Sequence, residues 1–293
     1  MRSGFVAIVG RPNVGKSTLV NRMVGSKVAI TSTRPQTTRN VIRGVASGPD
    51  YQLVVVDTPG LHKPRTELGS RLNALVDRTL GDVDAVVLVI DATAPIGPGD
   101  RLVADRLVAS GAEVVVAVNK VDLASKEEVV TQLVEAAEWP FPHVFPISAI
   151  TAEGMTPLVE ELVARLPDGP RYYPEGVVTD QPEPLVVAEI VREKFLDRLY
   201  EELPHSLVVR VTEMITRDDG RVMIHADVVV ERDSQKGIVI GKGGEMLKTA
   251  GTEARAELET LLGAPITLTL NVVVEKDWQR RPRLLDRLGF GPT

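Results

Sequence analysis

The sequence has 293 residues, of which 43% are hydrophobic and 25% charged, and this composition suggests about two globular domains with ordinary cores. It contains no cysteine, which excludes disulfide bonds, cysteine-ligated zinc and thiol catalysis. The formal net charge of −6 argues against bulk binding of nucleic acid, so any RNA site must be a local basic patch.

Neither a secretory signal nor a membrane span is expected. The apolar stretch within residues 1–10 is too short for a signal peptide. The longest apolar runs, such as residues 85–90, have the length of a strand rather than that of a membrane helix.

The first half of the chain alternates apolar runs with helical stretches. Several of the runs consist of Val, Ile, Leu and Ala without interruption, which is typical of strands covered on both faces in a parallel sheet. Strands are predicted at 5–9, 41–46, 52–56, 85–90, 113–118 and 143–147. Helices are predicted near 16–24, 68–80, 101–109, 126–138 and 157–165. The pattern predicts an α/β domain over residues 1–170 with a doubly wound, mostly parallel sheet.

Proline and glycine then predict a linker at 171–184, and the pattern changes beyond it. The order becomes α-β-β-α-α-β, which predicts a smaller α+β domain over residues 185–276. Its elements are a helix at 185–203, strands at 206–216 and 222–231, a short helix, a glycine turn, a helix at 245–262 and a strand at 266–274. Residues 277–293 are predicted to form a basic C-terminal tail.

A complete phosphate-loop pattern, Gly10-Arg-Pro-Asn-Val-Gly-Lys-Ser17, lies between a predicted strand and a predicted helix. In such a loop, glycines let backbone N–H groups point at the phosphates, and the helix N-terminus adds positive potential. Lys16 is expected to reach the β- and γ-phosphates, and Ser17 to ligate Mg²⁺. A chance glycine turn is the alternative, but the partners of the motif follow in order. The predicted nucleotide contacts are Gly10, Arg11, Pro12, Asn13, Val14, Gly15, Lys16 and Ser17.

The first partner, Asp57-Thr-Pro-Gly60, follows the second internal strand, at the edge where an open α/β sheet binds its ligand. Asp57 is expected in the Mg²⁺ shell, and the Gly60 N–H group beside the γ-phosphate. Taken alone, Asp57 would be an ordinary strand-end cap. The predicted contacts are Asp57, Thr58, Pro59, Gly60 and Leu61.

The base is expected to lie beside Asn119-Lys-Val-Asp122, which follows another strand. The Asp122 carboxylate can accept from N1–H and the 2-amino group of guanine, whereas adenine would leave it unpaired at a cost of roughly 1–3 kcal/mol. The stem of Lys120 can cover the base. Backbone N–H groups of Ser148-Ala149 are expected near guanine O6, although an ordinary loop is the alternative there. The predicted contacts are Asn119, Lys120, Val121, Asp122, Ser148 and Ala149.

The four motifs in this order are similar to those of P-loop GTPases over about residues 4–166. The resemblance implies GTP and GDP as ligands, Mg²⁺ as cofactor and a two-state switch. Residues 31–39 are expected to be the first switch, closing on Mg²⁺ and the γ-phosphate through Thr38, with Thr37 as second choice and a solvated loop as the alternative. Residues 60–66 are expected to be the second switch.

Leu61 departs from the GTPases that carry glutamine after Asp-x-x-Gly, and leucine cannot orient the attacking water. Slow hydrolysis, or the use of other groups, is therefore expected. Resemblance to translation-factor-like GTPases with Thr-Thr-Arg switches implies that Asn13 helps hold K⁺ near the phosphates. His62 is an alternative general base, although a solvated role is favoured for it. Catalysis is assigned to Lys16, Thr38, Gly60 and Asn13, and the Mg²⁺ ligands are Ser17, Thr38 and Asp57.

A second glycine loop, Gly241-Lys-Gly-Gly244, lies between two predicted helices. It lacks a preceding parallel strand, a Ser or Thr after its lysine and an Asp-x-x-Gly partner of its own, and these absences argue against a second nucleotide site. Its place in the α-β-β-α-α-β order matches a type II KH module, whose G-x-x-G loop clamps the backbone of single-stranded RNA. A helix corner that needs glycine is the alternative. Trp278 can stack on a base, although packing of the tail is the favoured role.

Positive charge in the second half of the chain is confined to local clusters, although this half is acidic as a whole. Residues 171–293 carry 17 lysines and arginines against 21 acidic residues, a net charge of −4. Basic residues nevertheless surround the glycine loop and crowd the tail, and a few phosphate contacts suffice for a short single strand. The predicted RNA contacts are Lys236, Ile240, Gly241, Lys242, Gly243, Gly244, Lys248, Arg280 and Arg281.

The Gln-Thr-Thr-Arg39 and Asp-Thr-Pro-Gly60 motifs, followed by segment 231–244, resemble the Era-like family of bacterial GTPases over nearly the whole chain. The resemblance implies binding of the 3′ end of 16S rRNA under the control of GTP, and a role in maturation of the 30S subunit. We expect a monomeric cytoplasmic protein with some peripheral association with the inner face of the membrane. The alternative is a GTP-gated scaffold at the membrane or in cell-cycle control, with protein as its main partner.

Overall fold

The structure is a computed structural model that describes residues 1–32, 34, 37–61, 64, 66–200 and 203–291. The chain divides into two compact units. The first consists of Met1–Thr31, Pro35–Arg65 and Gly69–Asp180, and the second of Ser32–Arg34, Thr66–Leu68 and Gln181–Thr293.

The first unit contains a six-stranded sheet, whose strands are β1 (Arg2–Val9), β2 (Ile42–Ser47), β3 (Tyr51–Asp57), β4 (Ala85–Asp91), β5 (Val114–Asn119) and β6 (His143–Ile147). Their order in the sheet is β2-β3-β1-β4-β5-β6. Every neighbouring pair is parallel except β2 and β3, which are antiparallel. The helices are α1 (Lys16–Val24), α2 (Glu67–Gly81), α3 (Pro98–Ser110), α4 (Lys126–Ala136) and α5 (Met155–Arg165). The predicted doubly wound, mostly parallel sheet is confirmed.

The central strands are covered on both faces because successive side chains point to opposite sides. In β1, Val6 and Ile8 join one core cluster with residues of α1 and α5, while Ala7 and Val9 join the other with residues of α2 and α3. This double burial explains the uninterrupted apolar runs. Because the parallel strands share a direction, their carboxyl ends meet at one edge of the sheet.

The segment predicted as a linker at 171–184 packs on the first unit as far as Asp180. The Val45 N–H group donates to the Val178 carbonyl oxygen at 2.8 Å, and the Gln52 Oε1 atom accepts from the Tyr172 and Tyr173 N–H groups at 2.7 and 2.9 Å. The physical reason is that β2 is an edge strand, whose free backbone groups attract a pairing partner.

The elements of the second unit are α6 (Glu183–Leu196), α7 (Leu203–Ser206), β7 (Val208–Thr216), β8 (Val222–Val230), α8 (Asp233–Ile240), α9 (Glu245–Leu262), β9 (Ile266–Val274) and α10 (Pro282–Arg287). Its three-stranded sheet has the order β7-β8-β9, with β7 antiparallel and β9 parallel to the central β8. The predicted helix at 185–203 is instead two helices, since α6 ends at Leu196 and α7 begins at Leu203. The predicted α+β domain of the KH type is confirmed.

Helices α6 and α9 pack on one face of this sheet. Phe195 of α6 and Leu258 of α9 are fully buried in one cluster with Ile224 of the central strand. The unit therefore has a core of its own, separate from the two clusters of the first unit. Within the described residues, no helix combines the length and hydrophobicity needed to cross a lipid bilayer.

The C-terminal segment is folded rather than an open tail. Trp278 is fully buried, its Nε1 atom donates to the Ser206 carbonyl oxygen at 2.9 Å, and its ring stacks on Phe290 with centroids 5.9 Å apart. Leu285 of α10 is buried as well. The indole is therefore unavailable to a nucleobase, which leaves packing as the role of Trp278.

Candidate functional site

Loops from β1, β3, β5 and β6 meet at the carboxyl edge of the sheet in the first unit. The loop between β1 and α1 carries the glycine pattern, and Gly15 adopts a left-handed φ of 96° immediately before α1. A Cβ atom at Gly15 would lie 2.3 Å from Asn119 Nδ2, which no side chain tolerates. Glycine is required there because Asn119, the last residue of β5, approaches the loop so closely.

Lys16 lies at the first position of α1 with its ammonium group over the loop. Its Nζ atom donates to the Arg11 carbonyl oxygen at 2.9 Å, and the residue is buried. Burial lowers the pKa of Lys16 to about 8, although the nearby Asp57 carboxylate opposes the shift. An anionic ligand in the same loop would strongly stabilise the charged form of such a buried ammonium group.

Ser17, Thr38 and Asp57 converge on one point. Ser17 Oγ lies 2.8 Å and Thr38 Oγ1 3.0 Å from Asp57 Oδ2, and the two hydroxyl oxygens are 2.9 Å apart. Burial raises the pKa of the Asp57 carboxyl, against Lys16 and the hydrogen bonds from Ser17 and Thr38. The second oxygen, Oδ1, is buried and has no hydrogen-bond partner among the described residues. The two hydroxyl oxygens and the two oxygens of the Asp57 carboxylate are ligands that suit a hard divalent cation such as Mg²⁺.

The switch segments are described in part. Thr38 is buried beside Asp57, whereas Thr37 is half-exposed, so the geometry favours Thr38 over Thr37. Leu61 lies in the core cluster with Val76 and Leu80. A nucleotide contact of Leu61 would therefore be made by its backbone, and this contact stays a prediction. The switch residues Thr33, Pro35, Gln36, His62, Lys63 and Arg65 lie outside the described residues.

Asn119 connects the phosphate loop to the loop after β6. Its Nδ2 atom donates to the Val14 carbonyl oxygen at 2.8 Å, and its Oδ1 atom accepts from the Ala149 N–H group at 3.0 Å. The Ser148 N–H group donates to the Glu153 carbonyl oxygen at 3.0 Å. Both amides expected at guanine O6 therefore have protein acceptors, and a base would have to share them.

Lys120 and Asp122 flank the same strand end. The Lys120 ammonium donates to the Asn13 carbonyl oxygen at 2.8 Å and to Asp91 Oδ2 at 2.6 Å, which stretches its stem across the mouth of the site. Burial raises the pKa of Asp91, but hydrogen bonds from Lys120 and Thr93 hold it below its usual value. Asp122 is exposed and accepts no hydrogen bond from the described residues, so its carboxylate is open to a base.

Sequence reasoning missed Asp91 and Arg22. Asp91 is the last residue of β4, at the same edge of the sheet. A carboxylate at the end of a parallel strand indicates a site residue, so the sequence could have identified it. Arg22 of α1 donates through Nε to the Ala149 carbonyl oxygen at 2.9 Å. No sequence signal connects a residue in the last turn of α1 with a loop more than a hundred positions further on.

The glycine turn of the second unit joins α8 to α9. Gly241 has a φ of 75°, and a Cβ atom there would lie 2.7 Å from Met246 Cβ and 2.9 Å from its backbone nitrogen. Only glycine permits this close return of the chain. Gly243 and Gly244 are also left-handed, and the turn projects Lys242 into solvent.

Basic and apolar groups surround this turn. Lys242 and Lys248 are exposed and Lys236 is half-exposed, and none of them forms an ion pair within the described residues. Ile238 is 53% exposed, and the half-buried Ile240 packs against the core beside Met246. Arg280 and Arg281 are exposed between the buried Trp278 and α10. The geometry supplies free cations and apolar surface next to a backbone turn, which is what a single strand of RNA requires.

Two families match the chain. Residues 5–120 match the family described as 50S ribosome-binding GTPase, and residues 202–279 match the KH domain. GTPase Era of Mycobacterium bovis (strain BCG / Pasteur 1173P2) is 52% identical over 295 aligned residues, covering 98% of this chain and 98% of the relative. GTPase Era of Mycobacterium sp. (strain JLS) is 50% identical, with 99% of each chain covered.

Solved structures of similar proteins match the chain over its whole length. A variant of Aquifex aeolicus Era bound to GDP and AlF4⁻ has a TM-score of 0.95 and 36% identity, with 100% of both chains covered. Era in complex with MgGDPNP and nucleotides 1506–1542 of 16S ribosomal RNA has the same TM-score, identity and coverage.

Proposed function

The chain belongs to the Era family of GTPases, and we propose that it is a GTP-dependent switch that binds the 3′ end of 16S rRNA through its KH domain and assists maturation of the 30S subunit. The observation that carries the proposal is that one chain holds two groups of residues that fit these two sites. One has the phosphate loop, the Ser17–Thr38–Asp57 cluster and the base-side Asp122. The other has the glycine turn, beside Lys236, Lys242 and Lys248, which form no ion pair within the part of the chain that the structure describes.

In the nucleotide site, backbone N–H groups of the phosphate loop and the Lys16 ammonium would bind the phosphates, and Asp122 would select guanine over adenine. Ser17, Thr38 and Asp57 would hold Mg²⁺, directly or through water. When bound, the ion neutralises charge on the β- and γ-phosphates. The Gly60 N–H group, three residues after Asp57, would contact the γ-phosphate when the bound nucleotide carries one.

Hydrolysis would depend on groups other than the residue after Gly60, because the Leu61 side chain is in the core. Asn13 adopts a left-handed φ of 68° at the exposed tip of the phosphate loop. We place K⁺ beside Asn13, where a monovalent cation would offset charge between the phosphates. A slow intrinsic rate is the expected result.

In the KH domain, Gly241, Gly243 and Gly244 would admit the RNA backbone, while Lys236, Lys242 and Lys248 would contact phosphates. Ile240 would line the base groove, and Arg280 and Arg281 would extend the basic surface. The solved complex of Era with nucleotides 1506–1542 of 16S rRNA supports the choice of RNA. The same family resemblance supports a monomeric cytoplasmic protein with the 30S subunit as partner and a peripheral membrane contact. The domain limits proposed are 1–170 for the GTPase domain and 185–276 for the KH domain, with 171–184 between them and 277–293 after them.

The deciding experiment is binding of an RNA with the sequence of the 16S rRNA 3′ end, measured by fluorescence anisotropy with GDP and with a non-hydrolysable GTP analogue. Affinity should fall as salt rises, with a log–log slope of about −2 to −3 for three or four phosphate contacts on a single strand. It should also differ between the two nucleotides, since a switch requires differential affinity. Equal affinities would leave two independent domains.

Gly243→Asp provides the matched test of the RNA site. The new carboxylate would stand where the RNA backbone approaches, so RNA binding should be lost while GDP binding remains. Arg221→Gln, on the exposed turn between β7 and β8, lowers the net charge by one as Gly243→Asp does, and this charge-matched control should retain RNA binding. Binding of RNA by the Gly243→Asp protein would overturn the KH assignment and favour the scaffold alternative.

A further inference from the structure

The guanidinium of Arg22 clamps the loop that follows β6. Its Nε atom donates to the Ala149 carbonyl oxygen at 2.9 Å, and its Nη2 atom donates to the Ile150 carbonyl oxygen. Arg22 itself lies in the last turn of α1, at the opposite end of that helix from Lys16. One side chain thus links the end of the phosphate-binding helix to the loop on the base side.

The clamped loop is held from two directions. The Ala149 N–H group donates to Asn119 Oδ1 at 3.0 Å, while the Ala149 carbonyl oxygen accepts from Arg22. The same peptide segment is therefore fixed on its donor side by the base-side strand and on its acceptor side by α1. Ser148 stabilises the loop internally, because its Oγ atom accepts from the Thr151 N–H group at 3.0 Å.

We infer that Arg22 is a positioning residue for guanine recognition, acting through the backbone of Ala149 and Ile150. The inference rests on the proposed function, since it concerns the base side of that same site. Arg22 forms no ion pair within the described residues, so its charge is directed at the two carbonyl groups. Charge-assisted, forked donation of this kind fixes direction as well as distance, which a lysine cannot reproduce.

Replacement of Arg22 is compatible with folding. The side chain is largely exposed and borders a cavity of about 660 Å³ between α1 and α5, whose lining includes Met23 and Met155. We expect a methionine at this position to turn towards that space and pack beside Met23 and Met155. The hydrogen bond to Ile150 is exposed and the one to Ala149 is part-buried. Loss of these two bonds should change the stability of the fold little, whereas it frees a loop that must be preformed to bind.

The test compares GDP and ADP binding to Arg22→Met, Arg22→Lys and the unaltered protein. GDP affinity is measured with a fluorescent GDP analogue, and ADP affinity by competition. ADP shares the ribose and diphosphate, so it isolates the effect on the base. Arg22→Met should weaken GDP binding about tenfold through faster dissociation, the size expected for a lost charged hydrogen bond. ADP binding should be unchanged, and turnover at saturating GTP should stay within about twofold.

Arg22→Lys should give an intermediate loss, because one ammonium can serve one of the two carbonyl oxygens. Arg106→Met is the matched control, since Arg106 is an arginine of α3 that pairs with Asp77 at 3.3 Å, away from the loop. It should bind GDP normally. An equal loss of GDP and ADP binding, or no loss of either, in Arg22→Met would overturn the inference. Failure of the unaltered protein to prefer GDP over ADP would instead defeat the proposed function.

Discussion

The Asn119 side chain donates to the Val14 carbonyl oxygen at 2.8 Å, which joins the end of β5 to the phosphate loop. Because Asn119 also accepts from the Ala149 N–H group, the phosphate side and the base side of the site share one rigid connection. The link holds the residues that would bind the phosphates at a fixed distance from those that would bind the base. This preorganisation reduces the entropy lost on binding.

Asn119→Ala should remove both links at once. Asn119 is 2% exposed, so the Val14 and Ala149 groups would lose their partners in a buried position. We expect the free energy of unfolding of the first unit to fall by about 2 kcal/mol and GDP affinity to fall at least tenfold. Chemical denaturation and nucleotide titration measure the two effects. A variant with normal affinity would show that the link is dispensable.

Asp122→Asn should change the preferred base. An amide offers a donor where the carboxylate offers acceptors, so the 2-amino group of guanine loses its partner while the 2-oxo group of xanthine gains one. We expect a loss of about one hundredfold for GTP and a gain for xanthosine triphosphate. Competition titrations with both nucleotides measure the shift. An unchanged preference would refute the assignment of the base.

Thr38→Ala should impair hydrolysis more than GDP binding. Thr38 Oγ1 lies 3.0 Å from Asp57 Oδ2, in the proposed Mg²⁺ shell, and a switch threonine acts when the γ-phosphate is present. We expect a fall in kcat of about tenfold or more with GDP affinity within threefold. Single-turnover phosphate release measures the rate. Thr37→Ala is the control, and the same loss in both variants would contradict the choice of Thr38.

Exchange of K⁺ for Na⁺ should slow GTP hydrolysis. The prediction follows from the proposed place of K⁺ beside Asn13, where the cation would offset charge developing between the phosphates. We expect a decrease of about tenfold in the unaltered protein and no ion dependence in Asn13→Ala. Turnover in matched chloride buffers measures both. Equal rates in the two salts would remove K⁺ from the mechanism.

Trp278→Ala should destabilise the second unit. Trp278 is fully buried and stacks on Phe290, so its removal leaves a large cavity that costs about 3–5 kcal/mol. Trp278→Phe keeps most of the packing and loses the hydrogen bond to the Ser206 carbonyl oxygen, a cost of about 1 kcal/mol. Calorimetry measures both, with the exposed Arg283→Ala as control. Equal stability of all three variants would mean that the C-terminal segment is not part of the core.

Much of the fold was predictable because its signals are local. The bounds of α1, α9, β6 and β9 agree with those predicted, since each lies between turn residues and has a clear apolar pattern. Helix α3 begins before the predicted Arg101, because Pro98 occupies its first turn and Asp100 Oδ2 caps the Gly97 N–H group at 3.0 Å. The pairing of 178–179 with β2 was not predictable, because it depends on which strand lies at the sheet edge.

By itself, the sequence determined the order of the motifs, the glycines and the kinds of chemistry present, because these depend on residue type and short spacing. The tertiary structure alone decided that Thr38 rather than Thr37 reaches Asp57, that Leu61 faces the core, and that Trp278 is buried. It also brought Arg22 to Ala149. The physical reason is that these contacts join residues far apart in the chain. Their distances are set by how strands and helices pack, and local sequence holds no record of that packing.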